Sequence, residues 1–350
     1  MGRRILIQAF VFSTFIYGCA DHTETAVVHT PCALSSEISA TGPVFQMHDG
    51  DYHEPGPFVP WNSNPSEDCP SNPTIRSGEF SGKELYITYP VVDEPLETGV
   101  VTIPAGELPV VVFTHANNFY CTAFELYKNL HNHWASWGFV VVSVDSTDAN
   151  CRRTSKENLQ LRSDAQIAAL EEVLSWDETV FQGLTIDEDY VFFSGHSRGG
   201  GASFLSAEAY PLTRGVITLQ GNDLRSIGFS SETLRDYAVL GISASDDTDL
   251  WYPHPDLMED QLGGEYTWVT LFDAIHAYTG DSLRIKKTDD PKIEREAQQA
   301  ATHFFTTAFL DRHTTLASDW PKEFTSAFLM SQHGAEKVLN EVYPHGAALR

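Results

Sequence analysis

The chain has 350 residues, with 22 Lys+Arg against 48 Asp+Glu for a formal net charge of −26, and 42% of it is hydrophobic. That much apolar material excludes a globally disordered chain. The acidic balance argues against nucleic acid and anionic membrane surfaces as partners, because their phosphates would be repelled.

Arg3 and Arg4 precede an apolar stretch from Ile5 to Tyr17. It is shorter than the roughly 20 residues of a spanning helix, and the pattern is that of a signal peptide over residues 1–18. Ile16-Tyr17-Gly18-Cys19 resembles a bacterial lipobox. That implies lipid on Cys19 and an exported cell-envelope lipoprotein, with membrane contact only through the anchor. Plain secretion and a retained anchor are the alternatives. Setting Cys19 aside leaves Cys32, Cys69, Cys121 and Cys151, an even set that suits disulfides in an exported protein. Buried free thiols are the bland reading. A Cys32–Cys69 bond would staple a segment with little core of its own.

Residues 19–82 read as a tether and a loop-rich N-terminal extension, with Pro55-Gly56-Pro57 and Pro60-Trp61-Asn62 in it. From residue 83 the pattern changes. Lys83–Tyr89, Val110–Thr114, Phe139–Val144, Tyr190–Ser194, Val216–Leu219, Ala238–Ser243 and Tyr266–Phe272 read as strands. Helical spacing covers Phe124–Trp137, Leu159–Trp176, Arg198–Tyr210 and Ile293–Arg312. Short apolar runs alternating with helices predict an α/β fold, a mostly parallel sheet covered on both faces, over residues 83–318. Residues 319–350 are expected to form a helical tail.

Gly195-His196-Ser197-Arg198-Gly199 is a G-x-S-x-G pentapeptide directly after a strand and opening a helix. That context is what a nucleophile elbow requires. Small residues flank a very tight turn, and the helix N-terminus favours negative charge developing at Ser197. A serine hydroxyl needs a base, and in this arrangement the acid and then the histidine follow. Asp246, Asp247 and Asp249 crowd the loop after Ala238–Ser243, and His276 follows the next strand. Asp247 is the favoured acid, with Asp246 and Asp249 open, and a Ca²⁺ site is the other reading of the trio. His131 and His133 resemble a metal pair, but i and i+2 point apart on a helix. No metal and no cofactor is therefore expected.

With these motifs the chain resembles an α/β-hydrolase with a small lid or none. Gly195-His196-Ser197-Arg198-Gly199-Gly200 is similar to the elbow of dienelactone-hydrolase-like and chlorophyllase-like esterases. It also resembles platelet-activating-factor acetylhydrolases and cutinase-type polyester hydrolases. The resemblance implies Asp247 as the acid. It implies an oxyanion hole from the backbone N–H groups of Asn117, in His115-Ala116-Asn117-Asn118, and of Arg198; Ala116 stands where the family carries Gly. It further implies a Cys121–Cys151 bond between neighbouring loops. Phe119, Tyr120, Trp251, Tyr252 and Tyr278 flank these loops and are candidates to line a pocket. Gln220-Gly221-Asn222 lacks the Trp of the polyester hydrolases, and Ser197 stands where dienelactone hydrolases carry Cys. The expected activity is that of a serine carboxylesterase on small, soluble esters. A peptidase or amidase, and a silent surface binding protein, are the rivals.

Overall fold

The computed structural model describes residues 38–39, 52–62, 73–92, 101–117, 126–151, 155–176, 184–222, 234–249, 264–286, 289, 291–314 and 339–345. The strands are β1 (Ile38–Ser39), β2 (Val59–Asn62), β3 (Leu85–Val91), β4 (Val101–Thr102), β5 (Glu107–Thr114) and β6 (Val140–Val144). β7 (Thr185–His196), β8 (Thr213–Leu219), β9 (Ala238–Ala244), β10 (Tyr266–Leu271) and β11 (Leu339–His345) follow. The helices are α1 (Lys128–Ser136), α2 (Ser155–Leu174), α3 (Arg198–Ala209) and α4 (Arg295–Thr314). Each apolar run read as a strand is one, within a few residues at its ends.

Nine strands form one sheet in the order β11-β10-β9-β8-β7-β5-β6-β3-β2. From β10 to β6 all neighbours are parallel, while β3, β2 and β11 are antiparallel additions at the two sides. β1 and β4 pair separately.

Alternating side chains of the central strands feed two cores, one on each face. Val110, Val112, Val140, Val142, Val191 and Phe193 pack with Ala165, Ala169 and Leu170 of α2 and Phe204 of α3. Val111, Phe113, Val141 and Phe192 pack with Leu130 and Trp134 of α1 and Phe304, Phe305 and Phe309 of α4. This two-sided burial is why the strands read as continuous β-branched and aromatic runs rather than alternating ones.

Two boundaries differ from the expectation. The domain does not begin at residue 83, because β2 pairs antiparallel with β3, with Pro60 opposite Pro90. Tyr52 is buried in the α1–α4 core, and Ile75 in the other. A proline-containing strand is tolerated there because β2 is an edge. The tail also departs from the helical expectation: β11 pairs with β10, Tyr343 opposite Trp268 and Val342 opposite Val269. An open β10 edge would leave a row of backbone groups unpaired, and β11 satisfies them. No helix among the described residues is long and apolar enough to cross a membrane.

β5 has β6 on one side and β7 on the other. The chain leaves β5 toward β6 and later crosses back to β7. The crevice outside the carboxyl ends of β5 and β7 is thus a topological switch point, where ligands of open α/β sheets bind.

Candidate active site

Ser197 sits between β7 and α3 with φ 57° and ψ −119°. A non-glycine residue with positive φ is strained by roughly 1–3 kcal/mol and persists only where its surroundings enforce it. Here Ser197 N–H donates to Leu219 O at 2.9 Å, and Ser197 O accepts from Gly201 N–H and Asn222 N–H, both at 3.2 Å. The flanking glycines are required by space. A Cβ on Gly199 would lie 2.1 Å from Thr114 O, and one on Gly195 would lie 2.4 Å from the Gly199 carbonyl carbon. The elbow is therefore pressed against the end of β5.

The residues expected as acid and base follow the ends of β9 and β10. Asp273, with φ 58°, turns the chain out of β10, and its N–H donates to Ser245 Oγ at 2.8 Å. Asp246 N–H donates to Ala274 O at 2.9 Å, so the two loops are joined. His276 opens a 3-10 turn, His276–Thr279. Its Nδ1–H donates to Asp247 Oδ2 at 2.7 Å, with side-chain exposures of only 9% and 5%. The neighbouring acids are engaged elsewhere: Asp246 with Lys292 Nζ at 3.0 Å, and Asp249 with Lys286. Asp247, Asp249 and His276 do offer ligand atoms within 4.8 Å of one another. That cluster already contains its own cation, Lys286, and its hydrogen-bonded carboxylate is turned to the imidazole. The donor set fits an acid–base pair better than a metal cage.

The His276 ring packs on that of His196, the residue before Ser197, with centroids 4.4 Å apart. The base loop thus lies against the elbow. His196 is fully buried and is held well below the usual histidine range, by burial first and by His276 second. Its Nδ1 meets Tyr127 Oη at 2.8 Å, and Tyr127 Oη accepts the Ala116 N–H at 3.2 Å.

Of the other expected residues, Asn117 follows β5 and is half-buried, and Arg198 is the first residue of α3. His115 is fully buried, its Nδ1–H on Ala116 O at 2.8 Å and its Nε2 accepting Ser146 N–H at 3.1 Å. It is a loop-holding residue. Burial, with Arg162 nearby, keeps it neutral, far below its usual pKa. Tyr278 is buried with the Arg295 guanidinium 4.6 Å over its ring, and so packs beneath the base loop. Phe119, Tyr120, Trp251 and Tyr252 lie outside the described residues, as do Cys19, Cys32, Cys69, Cys121 and residues 223–233 between β8 and β9, where the small lid or none is expected.

Sequence reasoning missed the residues that hold these loops. Gln298 of α4 donates to Ile275 O at 2.8 Å and accepts Ile275 N–H at 3.0 Å. Arg295 donates to Ala277 O and Leu283 O, at 2.8 and 2.9 Å, and to Gly280 O. Thr279 donates to Gln220, a buried residue with positive φ beyond β8. Nothing local marks them, since each is a polar residue on a helix or loop until the base loop is laid against it.

The chlorophyllase family model matches residues 74–217. The match runs from the approach to β3 into β8, includes His115–Asn117 and the elbow, and ends before Asp247 and His276. None of the curated proteins matches the chain. Sheet order, elbow and family match agree on one conclusion: the chain has the α/β-hydrolase fold.

Proposed function

We propose that the chain is a serine carboxylesterase that works through Ser197, His276 and Asp247. The observation that carries this reading is the part-buried Asp247–His276 hydrogen bond, on a loop whose imidazole packs against the elbow. Ser197 Oγ attacks the ester carbonyl carbon while its proton passes to His276 Nε2. The carbonyl π electrons move to oxygen, and the oxyanion is received by the N–H groups of Asn117 and Arg198. Ala116 N–H is taken by Tyr127, which makes the next amide the available donor on that loop. Arg198 N–H is one of the amides that a helix start leaves without a backbone partner. Collapse of the oxyanion breaks the bond to the alcohol oxygen, which takes the proton from Nε2. Water then attacks the acyl-serine, giving its proton to Nε2, and collapse of the resulting oxyanion breaks the bond to Ser197 Oγ, which takes that proton back as the acid leaves. Asp247 keeps the imidazole in the tautomer with Nε2 free to accept, and stabilises the imidazolium.

An exported location, lipid on Cys19 and the bonds Cys32–Cys69 and Cys121–Cys151 are part of the same proposal and rest on the sequence patterns above. The test is a fluorophosphonate reaction with the purified protein, mapped by mass spectrometry, followed by short-chain p-nitrophenyl esters. A single adduct on Ser197 with ester turnover is expected. A folded protein that takes no adduct would instead favour the silent binding protein.

A further inference from the structure

Arg162 is a cation in an unusual place. It lies on α2, is fully buried, and among the described residues all its hydrogen-bond partners are neutral. Nη1 donates to His115 O at 2.7 Å and Ser146 Oγ at 2.8 Å, Nε donates to Asn158 Oδ1 at 2.9 Å, and Nη2 donates to Asn150 Oδ1. Burial pulls its pKa down to about 9, so the guanidinium is charged at neutral pH despite its desolvation. A helix that needed only packing here would be served by leucine. The planar fork supplies what leucine lacks, several donors at fixed angles.

These donors converge on the segment after β5. One takes the His115 carbonyl directly. Another takes Asn158 Oδ1, which orients that amide so that its Nδ2–H₂ faces away from Arg162. Asn158 Nδ2 then donates to Asn117 Oδ1 at 3.1 Å and to Ala149 O. The carbonyl of His115 and the side chain of Asn117 are thus held from one helix, while Ser146, Ala149 and Asn150 fasten the end of β6 to the same network.

We propose that Arg162 and Asn158 are positioning residues of the oxyanion loop, which hold Asn117 so that its N–H faces the reacting carbonyl. The proposal rests on the serine-esterase reading. A misplacement of about 1 Å in such a site is worth around 10²-fold in rate, which sets the scale of the effect.

Asn158→Asp is the discriminating variant. It keeps an acceptor for Arg162 Nε and adds a counter-charge, but it has no donor for Asn117 Oδ1 or for Ala149 O, so its melting temperature is measured beside its kinetics. Its kcat on a p-nitrophenyl ester is expected to fall about 10- to 100-fold with KM changed far less. Affinity for a trifluoromethyl ketone, which Ser197 converts to a hemiketal oxyanion, should fall in parallel. The same substitution in an Asn117→Ala background should cause little further loss, because Asn158 acts through that side chain. Arg162→Lys, which keeps charge without the fork, should also lose kcat. Wild-type kcat and ketone affinity in Asn158→Asp, at an unchanged melting temperature, would overturn the proposal. So would an undiminished loss in the Asn117→Ala background. Wild-type protein that neither hydrolyses esters nor reacts with a fluorophosphonate would overturn the esterase reading and this proposal with it.

Discussion

Gln298 grips the peptide group on each side of Ile275: its Nε2–H donates to the Ile275 carbonyl at 2.8 Å and its Oε1 accepts the Ile275 N–H at 3.0 Å. Ile275 immediately precedes His276, so a helix on one face of the sheet sets the height of the imidazole. Gln298→Met keeps the volume, leaves the Ile275 N–H buried and unpaired at a cost of about 1–3 kcal/mol, and leaves the Ile275 carbonyl with only the Tyr278 N–H at 3.3 Å. The expected result is a lower melting temperature together with a kcat reduced by about tenfold or more. An unchanged kcat at saturating ester would show that Arg295 and Thr279 hold the loop without it.

The acid can be assigned by substitution because the three candidates have different partners. Asp247→Asn should reduce kcat by roughly 10⁴, since the amide favours the wrong imidazole tautomer. Asp246→Asn and Asp249→Asn break ion pairs with Lys292 and Lys286 that are largely solvated, and such pairs contribute about 0–1 kcal/mol. These two variants should keep kcat within about tenfold of wild type. Parallel steady-state kinetics on the three variants decides the matter.

The elbow leaves no room for a methyl group at Gly199. Its Cβ would lie 2.1 Å from Thr114 O, and both partners are backbone, so neither yields cheaply. Gly199→Ala should therefore destabilise the fold by more than about 4 kcal/mol, in the range of exceptional single substitutions. Chemical denaturation, or loss of soluble protein on expression, reads this out. A stable Gly199→Ala protein would mean that β5 and α3 separate easily.

Burial gives the chain an acid-sensitive element apart from the proposed triad. His131 is fully buried, edge-on to Phe113 at 4.8 Å, and neither ring nitrogen has a hydrogen-bond partner among the described residues. Burial lowers its pKa to about 3. The unfolded chain binds this proton near pH 6.5, and the folded one only near pH 3. Its contribution to stability is thus intact above about pH 6.5 and is lost as pH falls toward 3. His131→Phe should melt at a higher temperature than wild type, with the gap widening between pH 6.5 and 4. A constant gap across that range would rule out titration of His131 as its source.

The anchor is tested by fractionation. Cys19→Ser should move the protein from the membrane pellet to the soluble fraction, because the thiol is where the lipobox-like sequence Ile16-Tyr17-Gly18-Cys19 implies acylation. Continued sedimentation with membranes would refute lipidation at this residue.

The sequence by itself determined the parallel sheet, since strands buried on both faces, such as Val110-Val111-Val112 and Val140-Val141-Val142, can only read as unbroken apolar runs. It also determined the elbow, because Gly195 and Gly199 are local necessities of one turn, and the order in which Ser197, an acid and His276 follow. Local signal stopped at the acid. Asp246, Asp247 and Asp249 are alike as neighbours in a chain, and only the meeting of the β9 and β10 loops turns one of them to His276 and the others to lysines. The same holds for the edges of the sheet, where β2 carries Pro60 and β11 Pro344, and pairing with a neighbour makes the strand. It holds most for Arg162, Asn158 and Gln298. In sequence they are polar residues of ordinary helices; packed against the carboxyl ends of β5, β6 and β10 they become the donors and acceptors that loops cannot supply for themselves. A backbone group's partner is decided by what the fold brings within about 3 Å of it, and that is a tertiary fact.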